Sequence, residues 1–312
     1  MHKKLHVSAK YLILLVIGCV FFLHGCGRQD SALAQETPEI KRPTIKIGLI
    51  PEQNLFEQKK RYAPLFDYLS AELGVVFESH ILSRYGNIVD NFNELGLDGA
   101  FMGSFTGALA IQKLGVEPLV RPQHVNGTST YFGLVFARKG SGLGSAESLR
   151  GKRMVFVDRA TTAGYLLPLA YFKKIGISDY ENWFDKFYFS GTHEDAIMDV
   201  LNGLADVGAA KNTVYENLVL KDLNHMDKLE ILATSPPVPS NALLVKSTFP
   251  ADFKILLRNK LLTMDQSAAG RKALAEINST KFIETTVADY QPVLDYATSI
   301  GINLAEYDYR NQ

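Results

Sequence analysis

Asp158-Arg159-Ala160-Thr161-Thr162-Ala163-Gly164 puts two hydroxyls on a turn that follows an apolar run and opens a helical pattern. Amide N–H groups at a helix start are unpaired and carry the positive end of the helix dipole, so hydroxyls gathered there can hold an anion. The same threonines would also serve simply as helix caps. Gly103-Ser104-Phe105-Thr106 repeats the arrangement, with Ser104 either a second anion donor or a cap. Lys211 stands where a helix begins at Asn212, a position at which a cation opposes the dipole. A residue set against its local preference suggests a charge aimed at an anion, although a solvated lysine accounts for it as well. His193, in Gly191-Thr192-His193-Glu194, would when protonated add donor strength and make affinity fall as pH rises through its pKa. An exposed histidine at a helix start is the alternative. Tyr131 brings a phenolic hydroxyl that either reaches a cleft from its strand or packs in the core.

Other chemistries find no support. The seven histidines are dispersed without metal-ligand spacing, so no metal and no cofactor is expected. No G-x-S-x-G elbow occurs, and Gly151-Lys152-Arg153 lacks the spacing and hydroxyl of a phosphate-binding nucleotide loop. Gly140-Ser141-Gly142-Leu143-Gly144 reads as a turn leading to a helix cap at Ser145. His193-Glu194-Asp195 has no nucleophile beside it, and the chain is expected to be no enzyme. With 33 basic and 33 acidic residues the formal charge is zero, so nucleic-acid binding has no electrostatic basis.

The elements that must position these residues alternate. Apolar runs read as strands at Ile45–Ile50, Val75–Leu82, Gly99–Met102, Val116–Arg121 and Tyr131–Arg138, and again at Met154–Val157, Phe187–Phe189, Ala205–Ala209, Leu229–Thr234 and Ala242–Lys246. Helical patterns fall between them, including 87–95, Phe105–Leu114, Tyr165–Lys174 and Glu194–Leu201, which predicts α/β architecture with a largely parallel sheet. The chain is expected to leave a first lobe near Tyr131 and return near Ile231, with the cleft between lobes and hinges at Tyr131–Leu134 and Ala233–Pro237.

The N-terminus sets the compartment. Lys3, Lys4 and Lys10 precede an uncharged apolar run from Tyr11 to Leu23, a secretory signal pattern too short to span a bilayer, which takes about 20 residues. Leu23-His24-Gly25-Cys26 resembles a bacterial lipobox, which implies a lipid on Cys26; His24 stands where a small residue is usual. Cleavage after Ala32-Leu33-Ala34 is the alternative and would leave a soluble exported protein. Of the two cysteines, Cys19 falls within the signal, so a mature chain has no thiol for a disulfide. Segment 1–25 is thus a signal, and 26–43, with Pro38 and Pro43, a flexible tether. Roughly 270 residues remain, enough for two domains.

Together these segments resemble the periplasmic phosphonate- and phosphite-binding proteins of ABC transporters, from Ile45 through Tyr85, Gly103-Ser104, Thr161 to Gly164, His193-Glu194 and Ser235 to Ser240. The resemblance implies a type II periplasmic-binding-protein fold: two α/β sandwich domains joined by two crossover strands. Residues 44–133 and 236–312 would form lobe 1 and 134–235 lobe 2. Thr161 and Thr162 match hydroxyl ligands of the family's Ser-Thr-Ser-Gly loop, Ala163 replaces a serine, Tyr85 matches a tyrosine pointing into the cleft, and His193 matches a histidine near the ligand. Met102 stands where the family often has an aromatic. Thr213 and Asn241 stand where aminophosphonate binders carry carboxylates, which with Lys211 predicts an amine-free oxyanion: phosphate, phosphite or a simple phosphonate. The implied partner is an importer permease; a histidine kinase or chemoreceptor is the alternative. A membrane-anchored monomer in the periplasm is the expected form.

Overall fold

The computed structural model describes residues 42–225 and 227–311. The signal segment, Cys26 and the tether up to residue 41 lie outside the described residues. Thirteen strands occur among the described residues. The first eight are β1 (Thr44–Leu49), β2 (Val76–Ile81), β3 (Gly99–Met102), β4 (Glu117–His124), β5 (Thr130–Tyr131), β6 (Gly133–Arg138), β7 (Arg153–Phe156) and β8 (Lys186–Phe189). The others are β9 (Val207–Lys211), β10 (Leu229–Thr234), β11 (Val238–Pro239), β12 (Ala242–Val245) and β13 (Ser279–Glu284).

Two sheets divide the chain into two α/β lobes, the expected type II architecture. The first runs β13-β4-β12-β3-β1-β2 and the second β10-β6-β9-β7-β8. Strands β3, β9 and β12 are buried throughout, as central strands covered on both faces must be, and apart from Lys211 at the end of β9 their residues are correspondingly apolar or small. Asn54 starts the long helix Leu55–Leu73 by accepting from the amides of Phe56 and Glu57, and Gly74 ends it in a left-handed conformation at φ 67°.

The sheets are mixed, not largely parallel. β1 pairs parallel with β2 and β3, and β7 with β8 and β9. The return of the chain makes the difference: β12 enters between β3 and β4 from the opposite end and is antiparallel to both, while β6 is antiparallel to β9 and β10. Alternation of strand and helix implies parallel neighbours only where a helical crossover joins them directly.

The chain passes between the sheets twice, and the passing segments pair with each other. Tyr131 lies opposite Val238, and Thr130 opposite Pro239, in a two-stranded ladder of β5 and β11. The single strand expected over 131–138 is therefore interrupted at Phe132, whose N–H and C=O are taken by the Asn212 side chain and backbone. A side chain has captured a backbone pair that a continuous ladder would have used.

The helix expected over 165–174 begins earlier and wider. Residues Thr162–Leu166 form a π-helical turn before the α-helix Leu167–Lys174, with the Leu166 amide donating to the Thr161 carbonyl at 3.2 Å. The Val157 amide folds back to the Gly164 carbonyl, so the end of the strand lies against this turn. A Cβ on Gly164 would fall 2.4 Å from the Val157 Cβ, which only glycine avoids.

Candidate functional site

The two predicted helix starts meet face to face. The Thr162 hydroxyl bonds the Ser104 hydroxyl at 2.7 Å and accepts the Phe105 amide at 3.1 Å. Ser104 in turn bonds the Tyr131 hydroxyl at 2.8 Å, and the Thr106 hydroxyl donates to the Ala160 carbonyl at 2.8 Å. Gly103 is the cap of the helix Ser104–Leu114 and Ser104 its first residue, so the serine hydroxyl is free to cross between lobes. Each lobe thereby satisfies the other's anion-seeking donors.

A cavity of about 10 Å³ remains at this seam, near the lower limit for one water. Its lining includes Tyr85, Ser104, Thr161, Thr162, His193, Lys211 and Asn241, together with Glu52. Seven of the eight predicted positions thus converge. Ala163 does not line it; this residue packs against Gly133 at the crossover, because the π-turn rotates it away from the seam. Thr161 contributes less than expected, since its hydroxyl proton goes to the Asp158 carbonyl at 2.6 Å.

Lys211 is buried, and its ammonium is not unpaired as its position suggested. It reaches Glu52 Oε1 at 2.7 Å and Asn241 Oδ1 at 3.2 Å, and lies 4.3 Å from the centre of the Tyr131 ring. Burial pushes the Glu52 carboxyl up, but the neighbouring ammonium outweighs this and holds it below the ordinary value. Glu52 was not singled out in the sequence, where Pro51-Glu52-Gln53 reads as a plain loop. The usable signal was its place at the C-terminal end of a buried parallel strand, where open α/β sheets put their ligands. The carboxylates missing at Thr213 and Asn241 are thus partly replaced by Glu52, so the charge argument against an amine loses its force.

His193 is 3% exposed and neutral, contrary to the charged imidazolium considered from sequence. Burial pushes its pKa down to about 3 against the opposing Glu52 carboxylate, with the Lys211 charge adding a smaller push in the same direction as burial. Its Nδ1 accepts the Lys211 amide at 3.3 Å, which leaves the proton on Nε2. Tyr85 packs edge-on to this imidazole and is 2% exposed, and its hydroxyl has no hydrogen-bond partner. An orphaned buried hydroxyl beside a cavity is costly unless something else engages it. Among the described residues no group of three or more metal-ligating side chains gathers, and no helix is long and apolar enough to cross a membrane.

Glu52, Lys211 and Asn241 also border a larger interlobe groove of about 510 Å³, reached from the side of His124 and Glu216. The ion pair is therefore a partition between inner cavity and outer groove.

Two α/β lobes that collect buried hydroxyls, a lysine and a carboxylate at their seam define a type II binding protein. A family model described as the periplasmic substrate-binding protein of phosphonate ABC transporters matches residues 47–290, and the chain belongs to that family. It is 26% identical over 228 residues to the phosphate-import protein PhnD of Mycolicibacterium smegmatis, covering 70% of this chain and 68% of the relative. Among solved structures, the binding component of a phosphonate ABC transporter from Pseudomonas aeruginosa superposes with a TM-score of 0.77 at 22% identity, covering 83% of this chain and 87% of that one. PhnD1 of Prochlorococcus marinus, solved with methylphosphonate, gives 0.72 at 22% identity over 82% of this chain and 98% of that one. At such identities the structural likeness speaks for the fold.

Proposed function

We propose that the chain captures a small phosphorus oxyanion, phosphate, phosphite or a simple phosphonate, between its lobes and delivers it chemically unchanged to an ABC importer. The observation that carries this reading is the convergence of Ser104 and Tyr85 from one wall with Thr162, His193 and Lys211 from the other on a single cavity. A tetrahedral oxyanion offers acceptors in several directions and can replace the Ser104–Thr162 hydrogen bond with bonds of its own to both hydroxyls and to the Phe105 amide. The lobes part at residues 131–134 and 233–237 to admit it and close over it. Both walls come from one chain, so a monomer suffices. Relatives that import phosphate or were solved with methylphosphonate support the ligand class. The same reading takes Cys26, outside the described residues, as the lipid attachment point that would hold the protein at the periplasmic face of a membrane, supported by the lipobox-like Leu23-His24-Gly25-Cys26.

Isothermal titration of the purified chain with inorganic phosphate, phosphite and methylphosphonate tests the ligand class. Saturable binding of at least one is expected, and silence from all three would sink the reading. For the anchor, Cys26→Ala is expected to shift the protein from the membrane to the soluble fraction. A variant that loses its signal yet stays membrane-bound would refute lipidation.

A further inference from the structure

Most of what lines the inner cavity can donate: Tyr85, Ser104 and Thr162 through hydroxyls and Lys211 through its ammonium. Glu52 is the exception. Its carboxylate, bonded to Lys211 at 2.7 Å, can only accept. An oxyanion seated against Lys211 therefore meets a negative group at the same corner. A fully ionised ligand is repelled there, and one that carries an O–H can donate it to the carboxylate while its other oxygens take the lysine and the hydroxyls.

We propose that Glu52 is a specificity-determining residue that accepts the remaining proton of a singly protonated phosphorus oxyanion, and so rejects fully ionised anions of the same shape such as sulfate. The inference rests on the oxyanion reading above and adds to it the protonation state of the ligand. No bond to phosphorus changes; the proton stays on the ligand and is shared with the carboxylate.

Groups facing Glu52 from every packed element agree with this role. They are Lys211 before the helix Asn212–Lys221, His193 at the start of its helix, Asn241 before β12, Tyr62 on the helix Leu55–Leu73, Tyr85, and His124 at the end of β4. Burial lowers the pKa of both imidazoles and raises that of both phenols, so all four are uncharged at neutral pH. Lys211 and Glu52 then act as a neutral pair. A site whose own charges cancel gains nothing from a second negative charge on the ligand, but it gains a charge-assisted hydrogen bond from a ligand proton.

The test is titration calorimetry of the purified chain and of Glu52→Gln with methylphosphonate, inorganic phosphate and sulfate across the second ionisation of the phosphorus ligands. For the unaltered chain, preference over sulfate is expected to be at least about 100-fold, since a site built for an O–H strongly rejects the analogue lacking it. Methylphosphonate affinity is expected to fall about tenfold per pH unit above its second ionisation. In Glu52→Gln the preference is expected to shrink about tenfold or more and the pH slope to flatten, because the amide can donate to sulfate. Glu52→Asp, which keeps an acceptor, is expected to retain both, and circular dichroism with thermal melts confirms that each variant folds. An unchanged preference and slope in Glu52→Gln overturns the role of Glu52 and leaves the oxyanion reading standing. So does tighter binding of aminoethylphosphonate than methylphosphonate that disappears in Glu52→Gln, since the carboxylate then takes an ammonium. Failure of the unaltered chain to bind any phosphorus oxyanion overturns both.

Discussion

His193 and Asp158 are buried titratable groups on one lobe whose effects on stability run in opposite directions with pH. His193 drops from an ordinary value of 6.5 to about 3 because burial disfavours the imidazolium. Between those values the unfolded chain binds the proton more readily, so stability falls as pH is lowered, by up to about 1.4 kcal/mol per pH unit. Asp158 is raised to about 6, because burial outweighs the Ala160 amide, Arg84 and Asn311 around it. Its contribution is full below the ordinary carboxylate value and is lost as pH rises through 6. Urea unfolding of the protein and of His193→Gln between pH 4 and 6 should show that the variant has lost much of the acid-side decline. Parallel curves would mean that the imidazole protonates without cost. Lys211→Met leaves the Glu52 carboxylate without its cation and should destabilise by about 3 kcal/mol, with Glu52→Gln restoring part of the loss in the double variant. Equal stability of Lys211→Met and the parent would show the pair to be solvated.

The wide turn that opens the helix after β7 depends on close backbone approach. Gly164→Ala would put a methyl 2.4 Å from Val157 and 2.7 Å from the Thr161 hydroxyl, neither of which is at the end of a flexible chain. The expected cost is about 1–3 kcal/mol from overpacking, read as a lower melting midpoint, together with weaker oxyanion binding because Thr162 is displaced from Ser104. Wild-type values for both would mean the turn relaxes freely. Strand positions such as Gly99–Met102 and Ala242–Val245 were legible as apolar runs, since burial on both faces demands them. The break at Phe132 was not legible, because the competing donor and acceptor come from Asn212, eighty positions along the chain.

Closure between the lobes is held at the back of the seam by the C-terminal segment. Tyr307 donates to the Arg159 carbonyl at 2.8 Å, and Asn311 accepts the Arg159 amide and donates to Asp158. Tyr309 donates to Asp90 at 2.6 Å on the first lobe, so one strap joins the turn before Thr161 to the opposite wall. At about 1 kcal/mol for each hydrogen bond, truncation after Asn303 should lower stability by about 2–4 kcal/mol and increase the radius of gyration in small-angle scattering as the lobes part. An unchanged scattering profile would show that the strap does not influence closure.

Local patterns were enough to fix the alternating strands and helices and the helix-start residues Ser104, Thr161, Thr162 and Lys211, because helix starts and apolar periodicities are written in neighbouring positions, while Tyr85, His193 and Asn241 came from the resemblance to the family. Three features depended on distant parts of the chain: the antiparallel insertion of β12, the neutral state of His193, and the pairing of Lys211 with Glu52. Register, desolvation and ion pairing are properties of residues brought together from far apart, 159 positions for that last pair, and no local spacing encodes them. The lysine that looked from sequence like a bare positive charge is, once folded, half of a neutral pair.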